Sequence, residues 1–206
     1  MNRPRLPRGF RVTVYAGSSL GTRPTFAEQT ETFVRDLVRA GAEIVYGGAR
    51  RGLMGVVADT ALAAGGAVTG VIPSSLVDAE ISHTSLTRLH VVNSMSERKE
   101  LMVRLGDCFV ALPGGVGTAE ELFEVWSGLI LGHLLRPVAV LNIDGYWDPL
   151  LSLGSAMTLA GFLSRGECRS LLALTSAADL LSVLEVWKPP PARYSRHHTE
   201  TQMETQ

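Results

Sequence analysis

Cysteine is nearly absent from the 206 residues: Cys108 lies in an apolar run and Cys168 far downstream, which excludes a disulfide framework or a cysteine-built metal cluster. An imbalance of charge is missing too. The 19 basic and 20 acidic residues leave a net charge of −1, and because they are interspersed no general field attracts nucleic acid or an anionic membrane. Any anion has to be held locally. Long apolar runs are also lacking: residues 128–143 are interrupted by His133 and Arg136-Pro137, so they read as a helix end followed by a strand and not a membrane span. Behind the basic N-terminus only Val12 to Ala16 is apolar, too short for a signal peptide core. A cytoplasmic location is expected, with neither nucleic acid nor membrane as partner. No Gly-Lys pair occurs, so a Walker loop is excluded.

The chain does contain 46% apolar residues, enough for one large core. From residue 11 onward short β-branched runs alternate with longer helical patterns, the signature of an α/β fold with a doubly wound, mainly parallel sheet and helices on both faces. Strands are predicted at 11–16, 43–46, 67–72, 88–92, 108–112 and 137–142, and helices near 26–40, 53–64, 95–105, 118–132, 147–162 and 177–186. No internal repeat is evident. Residues 1–10 read as a flexible N-terminal segment and 11–187 as one folded domain. Residues 188–206, proline-rich and polar, read as a disordered tail in which His197-His198 are not metal ligands.

Three predicted strands end in glycine-rich turns: Gly17-Ser18-Ser19-Leu20-Gly21, Gly47-Gly48 leading to Gly52-Leu53-Met54-Gly55, and Pro113-Gly114-Gly115-Val116-Gly117. In an open doubly wound sheet these strand ends form the ligand-binding edge. Gly114, Gly115 and Gly117 let backbone N–H groups approach an anion, and the following helix adds the positive end of its dipole, which makes a phosphate seat. The dinucleotide fingerprint fails at its third glycine, where Glu120 stands. Asp144 is the only feature left to an NAD reading. Glu121 has two readings, either half of a capping box with Thr118 or a carboxylate beside the seat. Upstream, Met95-Ser96-Glu97-Arg98-Lys99 opens a helix. Cations are disfavoured by the dipole there, so Arg98 and Lys99 call for a nearby anion. A phosphate seat, a guanidinium and a carboxylate in one crevice are the parts needed to cleave an N-glycosidic bond through an oxocarbenium-like sugar.

These motifs resemble the LONELY GUY family of cytokinin riboside 5'-monophosphate phosphoribohydrolases, also labelled lysine decarboxylase-like. The resemblance covers about residues 11–187. It rests on the three glycine turns, Gly70-Val71-Ile72-Pro73, Met95 with Arg98-Lys99, Pro113 to Glu121, and Leu141-Asn142 with Asp144-Gly145-Tyr146. It implies a Rossmann-like fold and a homodimer with active sites near the interface. The implied reaction releases a free base and ribose 5-phosphate from a nucleoside 5'-monophosphate, AMP or an N6-substituted AMP, with no cofactor and no metal. The catalytic pair it implies is Arg98 and Glu121. Its substrate-binding positions fall on Gly17, Ser18, Gly48, Glu80, Met95, Lys99, Gly114, Gly115, Val116, Gly117, Thr118 and Glu120. One departure stands out: where many members carry Thr-Trp-x-Gln-Leu-Gly, this chain has Ser127-Gly128-Leu129-Ile130-Leu131-Gly132. The loss of an indole and an amide either alters base preference or marks a repacked interface. The rival from another class is a nucleotide-binding protein that cleaves nothing, because fold alone does not define activity.

Overall fold

The computed structural model describes residues 5–77 and 82–194. Its strands are β1 (Arg11–Tyr15), β2 (Glu43–Tyr46), β3 (Val68–Pro73), β4 (Arg88–Val92), β5 (Cys108–Ala111), β6 (Val138–Leu141) and β7 (Leu171–Leu174). They form one sheet in the order β4-β3-β2-β1-β5-β6-β7, with every neighbouring pair parallel. The helices are α1 (Pro24–Arg39), α2 (Gly52–Ala63), α3 (Ser74–Val77), α4 (Met95–Leu105), α5 (Val116–Leu131), α6 (Asp148–Leu159), α7 (Arg165–Arg169) and α8 (Ala177–Val186).

Side chains alternate across the sheet, as a period of two requires. Val12 and Val14 of β1 join Phe33, Leu37, Val57 and Leu180 in a core beneath α1, α2 and α8. Tyr15 joins Met102, Leu122, Trp126 and Leu129 in a second core beneath α4 and α5. The chain winds outward from β1 to β4, and α4 carries it back to β5 on the other side of β1. The β1/β5 boundary is therefore the topological switch point, where a crevice opens at the strand C-termini. The loops after β1 and β5 meet there, with Gly17 N–H donating to the Pro113 carbonyl at 3.1 Å.

Several elements differ from the sequence reading. β7 was not expected, because Leu171-Leu172-Ala173-Leu174 contains no β-branched residue; pairing with β6 over four positions decides its state. α5 begins at Val116, two residues earlier than predicted. Part of the segment read as flexible packs: Leu6 N–H donates to the Ala40 carbonyl at 2.9 Å, and Leu6 and Phe10 lie against the first core. The packed chain also runs past residue 187. Arg193 forms a two-pronged pair with Glu167 at 2.5 and 2.9 Å, and its N–H donates to the Ile130 carbonyl at 3.0 Å. A charge-assisted fork of this kind holds a polar segment that has little apolar surface to bury. His197-His198 lie outside the described residues. Cys108 is fully buried, and burial pushes its thiol up to about 12.

Candidate active site

At the switch point Gly17, Ser18, Ser19, Pro113, Gly114 and Gly115 line a cavity of about 270 Å³ together with Leu20, Phe26, Leu53 and Tyr146. Close loop contact explains two of the glycines. A Cβ on Gly17 would stand 3.0 Å from Gly114 Cα, and one on Gly114 would stand 2.1 Å from Thr118 Oγ1. A Cβ on Gly115 or Gly117 would meet open space, on the approach to the first turn of α5. The N–H groups of that turn have no intrahelical acceptor, and Val116 beside them is 87% exposed. Pro113 to Thr118, read from the sequence as a phosphate seat, form a glycine-walled helix N-terminus at the C-terminal edge of the sheet.

Arg98 reaches the same edge from α4. Ser94 caps that helix by accepting from Glu97 N–H at 3.1 Å, and Glu97 accepts from Asn93 N–H at 2.8 Å. The start of α4 is thereby fixed, with Arg98 one turn in. Its Nε donates to the Val71 carbonyl at 3.1 Å and Nη2 to the Gly47 carbonyl at 3.4 Å. Its Nη1 lies 3.2 Å from Met95 Sδ and 3.7 Å from Glu121 Oε1. Gly47 makes room for this: a Cβ there would stand 1.9 Å from Nη2. Gly48 continues the turn at φ 78°, and its carbonyl accepts from His83 N–H at 2.9 Å. Because the backbone at Gly47 is not left-handed, Gly47→Ala should fold yet displace the guanidinium. A shift of about 1 Å is expected to lower kcat about 100-fold, measured beside an unchanged Tm.

Glu121 does not cap its helix. The N-cap of α5 is Gly115, with no side-chain capping bond, so Thr118 and Glu121 sit inside the helix and the capping-box reading is corrected. The extended backbone of Gly115 lets Val116 and Gly117 join the first turn, which turns Thr118 inward against Gly114. Glu121 is 9% exposed, and its Oε1 is buried without a hydrogen-bond partner. Burial pushes its carboxyl up to about 7, while Arg98 pulls in the opposite direction. Burial prevails because the ion pair is long and the guanidinium directs two of its N–H groups to carbonyls. A buried carboxyl whose Oε1 has a long ion pair to Arg98 but no hydrogen bond, poised near neutrality, is a candidate for function.

The remaining expected residues are distributed unevenly. Lys99 bonds Glu120 and lies 2.9 Å from Glu124 Oε2, so the anions that the basic start of α4 calls for include carboxylates of α5. The hydrogen bond to Glu120 is the main cause that raises the Lys99 ammonium above its usual range. Glu80 lies outside the described residues. Asp144, once left to a dinucleotide reading, accepts from Thr25 Oγ1 at 2.5 Å. Ile130, at 8% exposure, belongs to the second core, and Gly128 faces Leu134. Ile130 is therefore repacked interior. Tyr15 was missed. It is 2% exposed, and burial, reinforced by Glu121, raises its phenol well above the ordinary value. Its only sequence signal is its place at the end of β1, just before the first glycine turn.

An all-parallel sheet with a glycine-walled helix N-terminus at its switch point and an Arg–Glu pair beside it defines a Rossmann-like protein. Known proteins agree with that class. The family model described as "Possible lysine decarboxylase" matches residues 54–184. A probable cytokinin riboside 5'-monophosphate phosphoribohydrolase of Oryza sativa subsp. japonica is 42% identical over 197 residues, covering 94% of this chain and 85% of the relative. The cytokinin riboside 5'-monophosphate phosphoribohydrolase of Rhodococcoides fascians is 47% identical over 154 residues, 74% of this chain and 78% of that one. The chain belongs to the LONELY GUY family of cytokinin riboside 5'-monophosphate phosphoribohydrolases. Among solved structures, the molybdenum cofactor carrier protein of Chlamydomonas reinhardtii superposes with a TM-score of 0.65 at 17% identity, covering 86% of this chain and 97% of that one. That likeness concerns the fold.

Proposed function

We propose that this protein hydrolyses the N-glycosidic bond of a nucleoside 5'-monophosphate, AMP or an N6-substituted AMP of the cytokinin type, to a free base and ribose 5-phosphate. The observation that carries this reading is the Arg98–Glu121 pair, 3.7 Å apart, beside the glycine-walled seat. The 5'-phosphate binds the N–H groups at the start of α5. The C1'–N bond breaks as the base departs with the bonding electrons, leaving positive charge on the sugar. Ionised Glu121 stabilises that charge or orients the water whose oxygen adds to C1'. The water's proton balances the charge on the leaving base. Arg98 holds the phosphate or ribose and keeps Glu121 in place. Gly17, Ser18, Gly48, Met95 and Thr118 shape the seat and the guanidinium cradle around the substrate. Membership of the family supports the same reaction.

A non-cleaving nucleotide binder would not need a buried carboxyl held without a hydrogen bond, which favours the enzyme. In this reading the protein is a cytoplasmic homodimer. Among the described residues no helix is long and apolar enough to cross a membrane. Leu89 and Val91 on edge strand β4, Phe123 on α5 and Leu135 are exposed apolar side chains of the kind that a second copy covers. The reaction is tested by incubating the protein with nucleoside monophosphates and the matching nucleosides and following free base by chromatography. Base should appear from the nucleotides alone; equal rates from nucleosides would remove the phosphate seat from the mechanism.

A further inference from the structure

The carbonyl of Gly114 accepts a hydrogen bond from the Tyr146 hydroxyl. The peptide that carries this carbonyl also carries the N–H of Gly115, and in a planar trans peptide the two point in opposite directions. Glycine on both sides leaves such a peptide free to flip. A flip would turn an oxygen, instead of an N–H, toward an anion in the seat.

Tyr146 is itself firmly placed. After β6 the chain passes through two consecutive left-handed residues, Asp144 at φ 49° and Gly145 at φ 72°. Asp tolerates that conformation better than most side chains, and the bond from Thr25 Oγ1 to the Asp144 carboxylate braces it. Tyr146 N–H then donates to the Ile143 carbonyl at 2.9 Å. The ring meets Phe26 edge-on, with centroids 5.6 Å apart, and Trp147 likewise at 5.1 Å. The ring, 38% exposed, is thus packed against two aromatic neighbours while its hydroxyl donates to the loop after β5.

We infer that Tyr146 is a positioning residue which locks the Gly114–Gly115 peptide in its anion-binding orientation, so that the turn after β6 sets phosphate affinity without touching the reacting bond. This rests on the phosphoribohydrolase reading for the nature of the anion. Tyr146→Phe removes only the hydroxyl and keeps the ring against Phe26 and Trp147, so the fold is retained. Titration with ribose 5-phosphate is expected to show about tenfold weaker binding, the equivalent of one lost hydrogen bond. KM for the nucleotide should rise by a similar factor, with kcat nearly unchanged. Inhibition by adenosine, which lacks the phosphate, should be unaltered. Wild-type affinity of the variant for ribose 5-phosphate would overturn the lock, and so would an equal loss of adenosine affinity. If the wild-type protein released no base from any nucleotide, the hydrolase reading would fail, while the ribose 5-phosphate titration would still decide the role of Tyr146.

Discussion

Glu121→Gln is expected to lower kcat about 1,000-fold, the loss typical of removing a positioned acid–base or charge-stabilising group, without loss of stability. Both halves follow from the burial of this carboxyl. A capping glutamate would cost helix stability when replaced, but Glu121 makes no capping bond, and its Oε1, paired with Arg98 only at 3.7 Å, has no hydrogen bond to lose. The pH dependence follows in sign. Folding raises this carboxyl from 4.5 to about 7, so between those values the unfolded chain has released a proton that the folded protein keeps. Stability from this group is complete below about pH 4.5 and falls as pH rises through 7, by about 3 kcal/mol. The neutral amide removes this loss, so Tm of the variant should fall less than that of the wild type between pH 5 and pH 8. Activity runs the other way. If ionised Glu121 is the working form, wild-type kcat/KM rises through about pH 7. A capping role alone would instead give full turnover and a lower Tm.

Arg98→Ala is expected to reduce kcat/KM by about 100- to 1,000-fold, the range for loss of a preorganised electrostatic donor. The guanidinium holds the carbonyls of Val71 and Gly47 and is the cation nearest to Glu121. Its removal leaves two acceptors without their donor and takes away the charge that lowers the carboxyl. The rise of activity with pH should therefore shift upward. Arg98→Lys should recover little, because an ammonium restores the charge but cannot span two carbonyls and a carboxylate with a planar fork. Kinetics and pH profile equal to those of the wild type would remove Arg98 from the mechanism.

What could be read in the sequence was local. Alternating β-branched runs and helical patterns located six of the seven strands among the described residues, because each carries its own periodicity. β7 carries none, and only its pairing with β6 makes it a strand. Glycine turns at the strand ends pointed to the switch point, since close loop contact excludes a Cβ at Gly17 and Gly114. The Thr118-x-x-Glu121 spacing misled, because a capping box and a buried carboxyl have the same letters and the helix start decides between them. The seat of Arg98 was out of reach of any motif: its acceptors, Gly47 and Val71, come from just past β2 and from within β3. Tyr146 lies 32 residues from the carbonyl it holds, a pairing made by the β5–β6 crossover alone.

The most direct test of the reaction is to run it on AMP in water enriched in oxygen-18 and weigh the products. Cleavage at C1' should give adenine and ribose 5-phosphate in equal amounts, with one heavy oxygen in the sugar at C1 and none in inorganic phosphate, and the yield should collapse with Glu121→Gln. Adenosine accompanied by labelled inorganic phosphate, or undiminished labelling with Glu121→Gln, would contradict hydrolysis of the N-glycosidic bond at the Arg98–Glu121 site.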